Sequence, residues 1–152
     1  MTETTVLSGK KISKDDALVH FLGTVDELNS HLGLVKTLLP DKETRQFLEQ
    51  IQKNLMKLMS HVYNNKNEEY FFCEDDVSVL EKEIEKLKNK LPELTGFVIP
   101  GRNTTEAQIH ITRTITRRAE RMFIPVSEQL SPNAGIYLNK LSDYLFILLQ
   151  QI

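Results

Sequence analysis

The sequence predicts an all-α protein, a single domain of five helices packed as an up-and-down bundle around a four-helix core. Apolar residues recur at three- and four-residue spacing along most of the 152 residues, and strand-like alternation is scarce. Hydrophobic residues make up 40% of the chain, which is enough for one core, and no repeat or low-complexity tract divides residues 1–152. The predicted helices cover about 14–39, 42–63, 76–91, 104–123 and 133–152.

The first two predicted helices have the clearest apolar stripes. Ser13 or Asp15 is positioned to cap the first helix, and Pro40 lies just past its end. Its buried positions are predicted to be Leu18, Leu22, Val25, Leu28, Leu32, Val35 and Leu39. Those of the second helix are predicted to be Phe47, Ile51, Leu55, Leu58 and Val62.

The third predicted helix lies between two loops. Its inward positions are Val77, Leu80, Ile84 and Leu87, and its charged face is typical of a solvated surface. Residues 64–72 are predicted to form the preceding loop, and Cys73 is interpreted as a small apolar residue at its edge. In the following loop, residues 92–103, Phe97 belongs to an apolar segment. It either covers the end of the bundle or forms one wall of a ligand pocket.

The fourth predicted helix concentrates arginine. Residues 113–121 read RTITRRAER, with four arginines and one glutamate. At about 100° per residue, one narrow face carries Glu106, His110, Arg113, Arg117 and Glu120, with Arg121 at its edge. The opposite, core-facing side is predicted to carry Ile111, Ile115, Ala119, Met122 and Val126. A cationic stripe that also contains acids is suited to holding a polyanion such as a nucleoside triphosphate.

Polar residues on the first and fifth helices supply further candidates. Asp26 shares a face with Gly23 and Gly33, and this glycine pair indicates close approach by a helix, a subunit or a ligand. Asp26 is either a solvated acid or the partner of an arginine on the fourth helix. On the fifth helix Asn139 and Asp143 are four residues apart and share a face. The predicted buried positions there are Leu138, Leu141, Leu145, Leu148 and Ile152.

Composition and missing motifs narrow the function. A net charge of −2 and a pI of about 6.1 argue against nucleic-acid or acidic-membrane partners. One cysteine excludes an intrachain disulfide. No apolar run approaches the roughly 20 residues of a membrane span, and no signal peptide is visible. We therefore expect a cytoplasmic protein, or an organelle protein without its leader. A Walker loop, a GxGxxG motif and a metal-ligand histidine spacing are absent.

Four ordered motifs resemble the PduO-type ATP:cob(I)alamin adenosyltransferases. They are GTVDELNS at 23–30, FVIPG at 97–101, RTITRRAER at 113–121 and YLNKLSDYLF at 137–146, and the resemblance covers about residues 14–146. It implies a homotrimer of helical bundles with active sites between subunits. It also implies transfer of the 5′-deoxyadenosyl group of MgATP to the cobalt of cob(I)alamin, with release of triphosphate. A cob(II)alamin reductase and an adenosylcobalamin-dependent enzyme are the implied partners.

The same resemblance implies roles for individual residues. Arg113 matches an arginine that forms an intersubunit salt bridge with the acid matched by Asp26, and these two with Arg117 form the implied catalytic set. The implied ATP-binding residues are Lys14, Arg117, Glu120, Arg121 and Asn139, with Glu120 as a candidate contact for Mg²⁺ carried by the nucleotide. The implied corrinoid-side residues are Phe97 and Asp143. Phe97 matches an aromatic residue that keeps the lower axial ligand away from the cobalt, which favours reduction to Co(I).

Departures from the family pattern leave several interpretations open. The phosphate loop Thr-x-x-Gly-Asp-x-Gly-x-Thr is reduced to residues 2–5, Arg102 stands where a second glycine is usual, and Lys140 replaces an arginine. The chain is therefore an active enzyme with weaker ATP binding, a corrinoid carrier or sensor that has lost catalysis, or a sequence whose N-terminus is misassigned or cut. Retention of the matched acids, arginines and asparagine favours the first. A helical scaffold that binds neither ligand is the alternative from another class.

Overall fold

The computed structural model describes residues 1–5, 9–63, 74–91 and 96–152 and consists of five helices and one small hairpin. The elements are β1 Glu3–Thr5, β2 Lys11–Ser13, α1 Ala17–Leu38, α2 Lys42–Tyr63, α3 Glu74–Lys88, α4 Thr104–Phe123 and α5 Pro132–Leu149. A 3₁₀ helix, Ile124–Gln129, joins α4 to α5 at the proline predicted to end α4. The predicted five-helix bundle is confirmed. The predicted loop at 64–72, Cys73 and the side chain of Val62 lie outside the described residues.

The five helices pack around one core, to which α3 contributes Val77, Leu80, Ile84 and Leu87. α1 contacts both α2 and α4, and α5 contacts both α4 and α3. α2 meets α5 through side chains: the Phe47 and Tyr144 rings lie 5.2 Å apart, and Asn54 Nδ2 donates to the buried Tyr137 hydroxyl at 3.1 Å. Within the described ranges, no helix has the length and apolar character that crossing a membrane requires.

The apolar stripes predicted for α1, α2 and α3 face the core. Every predicted position on α1 is buried except Leu18, which is partly buried, and all four on α3 are buried. On α2, Ile51, Leu55 and Leu58 are buried and Phe47 is partly buried. On α5 the four predicted leucines are buried, but Ile152 is exposed because the helix ends at Leu149.

The N-terminal residues form an antiparallel hairpin that the sequence did not indicate. Thr4 pairs with Ile12 across β1 and β2, and Lys14 N donates to Thr2 O at 2.8 Å. This pairing delays the start of α1 from the predicted residue 14 to Ala17. Neither predicted cap is used, because Asp16 accepts from Leu18 N at 2.8 Å.

The prediction for the buried face of α4 was partly wrong. Ile115, Ala119 and Val126 are buried and Met122 is half-buried, but Ile111 is 46% exposed. Threonines take core positions instead, because the Thr112 and Thr116 hydroxyls donate to backbone oxygens one turn earlier, at 2.7 and 2.8 Å. These internal hydrogen bonds remove the cost of burying a hydroxyl. The core face therefore includes polar positions that a hydrophobic pattern does not reveal.

Close packing of α5 against α4 depends on Gly135. A Cβ atom at this position would lie 2.5 Å from Phe123 Cε1 and 2.8 Å from Cδ1. The Phe123 ring is buried and packs against Phe21, with ring centroids 5.8 Å apart, so it has little room to move. The glycine therefore permits the approach of the two helices.

We expect Gly135→Ala to destabilise the protein by about 1–3 kcal/mol, because the added methyl group overpacks the Phe123 ring. Urea unfolding followed by circular dichroism measures this change. Gly23→Ala is the matched control, since a Cβ there meets nothing within 4 Å. Its stability should stay constant or rise by about 0.5–1 kcal/mol. Equal stabilities of the two variants would contradict the packing account.

Candidate active site on α4 and neighbouring helices

The cationic face of α4 is present and its charges are available. Arg117 and Arg121 are exposed, and Arg113 is half-buried. In the described part of the chain, none of these three arginines forms an ion pair. Arg113 Nε is buried and lacks a hydrogen-bond partner among the described residues. A buried guanidinium nitrogen without an acceptor is costly, so we expect Arg113 to have a partner beyond the described residues.

Arg118, the fourth arginine of the motif, forms an ion pair within the chain. Arg118 Nη2 pairs with Glu27 on α1, a contact between two residues to which the sequence assigned no role. Asp26, the adjacent residue, is exposed and has no ion pair within the described ranges. Consecutive helical side chains diverge by about 100°, so the two acids point in different directions. The sequence signal was therefore present in the Asp-Glu pair, but which acid meets an arginine within the chain required the structure.

A surface cleft lies beside Asp26 at the start of α1. Its volume is about 540 Å³, and it brings together Lys14 from the hairpin end with Gly23 and Asp26 from α1. The remaining lining residues are Thr4, Val19, Leu22 and Met59. No neighbouring atom comes within 4 Å of a Cβ built on Gly23, so this glycine opens the cleft rather than permitting helix contact. At Gly33 the prediction of a close neighbour holds, since Gln52 Nε2 would lie 3.3 Å away.

Two other predicted residues, one on α4 and one on α5, are in contact. Asn139 Nδ2 donates to Glu120 Oε1 at 2.9 Å, which fixes the amide relative to the arginine helix. Asp143 is exposed and borders a different groove, of about 220 Å³, between α3 and α5. Lys140 lines that groove too, with its Nζ 3.6 Å from Glu81 Oε1. The structure therefore groups Asn139 with Glu120, and Asp143 with Lys140.

The apolar loop before α4 projects into solvent. Phe97 is 108% exposed and Ile99 is 86% exposed. The interpretation of Phe97 as a cover for the bundle end is therefore wrong, and the ring is free to contact a ligand or another subunit. Gly101 ends the segment with φ +110°, in the region that favours glycine.

Glu106 was predicted on the exposed cationic face, but it is fully buried at the foot of this loop. Its Oε2 accepts from Gly101 N at 2.8 Å and from Arg102 N at 2.9 Å. Its Oε1 lies 3.1 Å from His110 Nε2 and 3.6 Å from Arg102 Nε. The Gly101 N–H foremost, together with Arg102 and His110, holds the pKa of the Glu106 carboxyl below its ordinary value of 4.5, although burial opposes this shift.

The described residues contain no group of three or more histidine, cysteine or acidic side chains arranged to hold a metal. Mg²⁺ that arrives with nucleotide phosphates needs only one or two protein carboxylates. Glu120 fits this limited requirement, since it is a carboxylate on the arginine helix whose Oε1 accepts from Asn139 Nδ2.

Comparison with known proteins gives the chain its family. A family model described as cobalamin adenosyltransferase matches residues 1–152. The chain belongs to this family. A corrinoid adenosyltransferase of Citrobacter freundii is 38% identical over 149 residues, which cover 94% of this chain and 85% of that protein. The corrinoid adenosyltransferase PduO of Citrobacter freundii is 32% identical over 151 residues, and the match covers 95% of this chain but only 45% of that longer protein.

A solved structure shares the fold closely. It is a phenylalanine-to-alanine variant of a PduO-type ATP:corrinoid adenosyltransferase from Lactobacillus reuteri, complexed with cobalamin and ATP. The TM-score is 0.88 at 29% identity, and the match covers 98% of this chain and 87% of that one. The function of this cobalamin adenosyltransferase family member is transfer of an adenosyl group to a corrinoid, and the chain is an enzyme of the transferase class.

The lowered pKa of Glu106 predicts a pH-dependent stability. The ionised carboxylate stabilises the fold above pH 4.5, and this contribution is lost as the pH falls through the lower folded value. Glu106→Gln cannot ionise and lacks the contribution. We therefore expect the difference in unfolding free energy between wild type and Glu106→Gln to shrink on acidification, in urea titrations at several pH values.

Asp41 provides the check on this acid-stability experiment. Its pKa is also lowered, first by the Thr44 hydroxyl, but both proteins retain Asp41 and its effect cancels in the difference. A difference that stays constant from neutral pH to well below pH 4.5 would show that Glu106 contributes no ionised, hydrogen-bonded carboxylate.

Proposed function

We propose that the chain transfers the 5′-deoxyadenosyl group of ATP to cob(I)alamin at a site formed between copies in a homotrimer. ATP and cobalamin are its substrates, as the complexed structural relative supports. The observation that carries the location is the face of α4 on which Arg113, Arg117 and Arg121 have no ion pair within the described residues. Arg117 and Arg121 are suited to a triphosphate, and three cations at one place are expensive to leave without anions.

Copies of the chain complete this face. Arg113 has a buried, unsatisfied Nε, and Asp26 is an exposed acid on α1. We assign them to one another across the subunit boundary, because Glu27 already neutralises the arginine that α1 reaches in its own chain. The ion pair would hold α4 of one subunit beside the cleft of the next, where Lys14 is available to a phosphate group.

The proposed reaction needs no general acid or general base from the protein. The Co(I) substrate is itself the nucleophile: a cobalt–carbon bond forms at C5′, the C5′–O bond breaks, and triphosphate leaves with the bonding electrons. Arg117 and Arg121 neutralise the negative charge of the leaving group, and Asn139, fixed by Glu120, orients the nucleotide. Glu120 is the carboxylate placed to contact Mg²⁺ carried by ATP.

Phe97 supplies the apolar part of the site. Its ring is held in solvent beside Val98 and Ile99, and an apolar corrin face would remove all three side chains from water. Placed against the lower face, the ring would exclude an axial ligand and so favour reduction of the cobalt. Asp143 is proposed on the corrinoid side with Phe97. We place the protein in the cytoplasm. Its proposed partners are a cob(II)alamin reductase and an adenosylcobalamin-dependent enzyme.

An anaerobic assay tests the proposal directly. Cobalamin is reduced to Co(I), protein and MgATP are added, residual Co(I) is quenched, and the light-sensitive spectrum of adenosylcobalamin is followed. Turnover well above a control without protein is expected. Corrinoid binding without turnover would instead identify a carrier or sensor, and binding of neither cobalamin nor ATP would identify a scaffold.

We expect Arg117→Ala to lower kcat/KM for ATP by roughly 10- to 100-fold, since one charged hydrogen bond to phosphate contributes ~1.5–3 kcal/mol. The variant should fold normally, because Arg117 is exposed. Lys82→Ala, which removes an exposed cation from α3, is the control and should behave as wild type. Normal turnover and unchanged ATP affinity of Arg117→Ala would contradict its role.

The subunit contact has its own prediction. Sedimentation equilibrium should give a trimer of 17.6 kDa chains. Asp26→Arg should dissociate it through like-charge repulsion with Arg113, and the double variant Asp26→Arg/Arg113→Asp should restore it. Lys82→Glu, a charge reversal on α3, should leave the assembly unchanged. If both single variants dissociate and the double variant does not reassemble as a trimer, Asp26 and Arg113 do not pair at the interface.

A further inference from the structure

We infer that Glu106 is a positioning residue that holds the Phe97 loop in its binding conformation, an inference that rests on the proposed corrinoid role of Phe97. The carboxylate does not face the cationic stripe, because it is buried beneath the loop. Its function would be to fix where the exposed aromatic ring stands before a corrinoid arrives.

Within its described residues, the loop has few other attachments. In the described segment 96–102, both backbone hydrogen bonds that are found, from Gly101 and Arg102, end on Glu106 Oε2. Phe97 and Ile99 make almost no contact with the bundle, since both are largely exposed. An apolar segment in water is expected to collapse onto the nearest apolar surface unless its backbone is held. The carboxylate supplies that restraint at the point where the loop meets α4.

Glu106, the anchor of the loop, is itself held on two sides. Asn103 Oδ1 accepts from Glu106 N at 2.9 Å, so the first turn of α4 fixes the backbone of the anchor. On the other side, His110 Nε2 lies 3.1 Å from Glu106 Oε1. A side chain restrained by both neighbours can position a loop, because its own rotamer is fixed.

Arg102 shares this anchor with Gly101. Its backbone N–H donates to Glu106, and its Nε lies 3.6 Å from the same carboxylate. The left-handed φ of +110° at Gly101 turns the chain so that both consecutive N–H groups converge on one oxygen. Gly101→Ala would strain this turn while leaving Glu106 in place, although a Cβ there meets nothing within 4 Å.

The test compares corrinoid and ATP kinetics in two variants that loosen the anchor from opposite sides. Glu106→Met keeps the buried volume and removes the acceptor oxygens, whereas Gly101→Ala disturbs the donors. We expect each to lower kcat/KM for cob(I)alamin by about tenfold while KM for ATP changes less than about twofold. Glu106→Gln, which retains an acceptor oxygen, should recover most of the loss. Should Glu106→Met not fold, Gly101→Ala carries the test.

Asp41→Ala is the matched control for loss of a helix-start carboxylate. Asp41 Oδ2 accepts from Thr44 N at 2.7 Å at the start of α2, and no hydrogen bond or ion pair joins it to the described loop residues 96–102. Its loss should lower stability without changing kcat/KM for cob(I)alamin. A corrinoid defect of equal size in Asp41→Ala would show that general destabilisation, rather than loop position, explains the Glu106→Met result.

A Phe97→Ala background separates this inference from the proposed function. If the anchor acts through the ring, adding Glu106→Met or Gly101→Ala to Phe97→Ala should change kcat/KM for cob(I)alamin less than about twofold. An undiminished effect in that background would overturn the positioning role. Wild-type corrinoid kinetics in Phe97→Ala alone would overturn the proposed role of Phe97. Absence of turnover in every protein, including wild type, would overturn the proposed activity.

Discussion

The position of α4 between α1 and α5 is the constraint on which the rest of the structure depends. One side of this helix supplies Ile109, Ile115 and Ala119 to the core, and another displays arginines to solvent. The helix can both pack in the core and carry polar residues because the buried Thr112 and Thr116 hydroxyls donate to backbone oxygens of α4. Gly135 then lets α5 approach closely enough to bring Asn139 against Glu120. Core packing and site geometry therefore have the same origin.

The acidic residues around the cationic helix each have a different kind of partner. Glu27 neutralises Arg118 within the chain, and Glu120 holds an amide. Glu106 binds backbone N–H groups and not the arginine stripe. The arrangement leaves Arg113, Arg117 and Arg121 without an ion pair in the described part of the chain, so Arg117 and Arg121 are available to a phosphate group.

The sequence was sufficient for most of the architecture. Strong three- and four-residue periodicity located all five helices, and the approximate bounds predicted for α2 and α4 agree with the observed ones. The hairpin was missed because each strand has only three residues, too few for an alternating pattern. The predicted burial of Ile111 failed because hydrophobicity does not show that Thr112 and Thr116 can satisfy themselves in a core.

The sequence nominated individual site residues, but it did not reveal their contacts. Family resemblance pointed to Asp26, Arg113 and Phe97, and the structure shows where each lies in one chain. The Glu27–Arg118 pair joins residues 91 positions apart, and no local pattern specifies such a partner. Glu106 was misplaced because its helical face was inferred from an ideal helix without the loop that folds back over the first turn.

The adjacency of Asp26 and Glu27 also governs which sequence changes α1 can tolerate in evolution. Glu27 pairs with Arg118 of its own chain, whereas Asp26 has no ion pair among the described residues. The two acids differ only in the direction that the helix gives their side chains. A single inserted or deleted residue between the helix start and Asp26 would rotate the following turns by about 100° relative to the preceding ones. An insertion would turn Asp26 into the direction of Glu27 and Glu27 into that of the buried Leu28, whereas a deletion would turn Asp26 into the direction of the buried Val25. Either change would bury a carboxylate in the core, so the length of this segment is constrained.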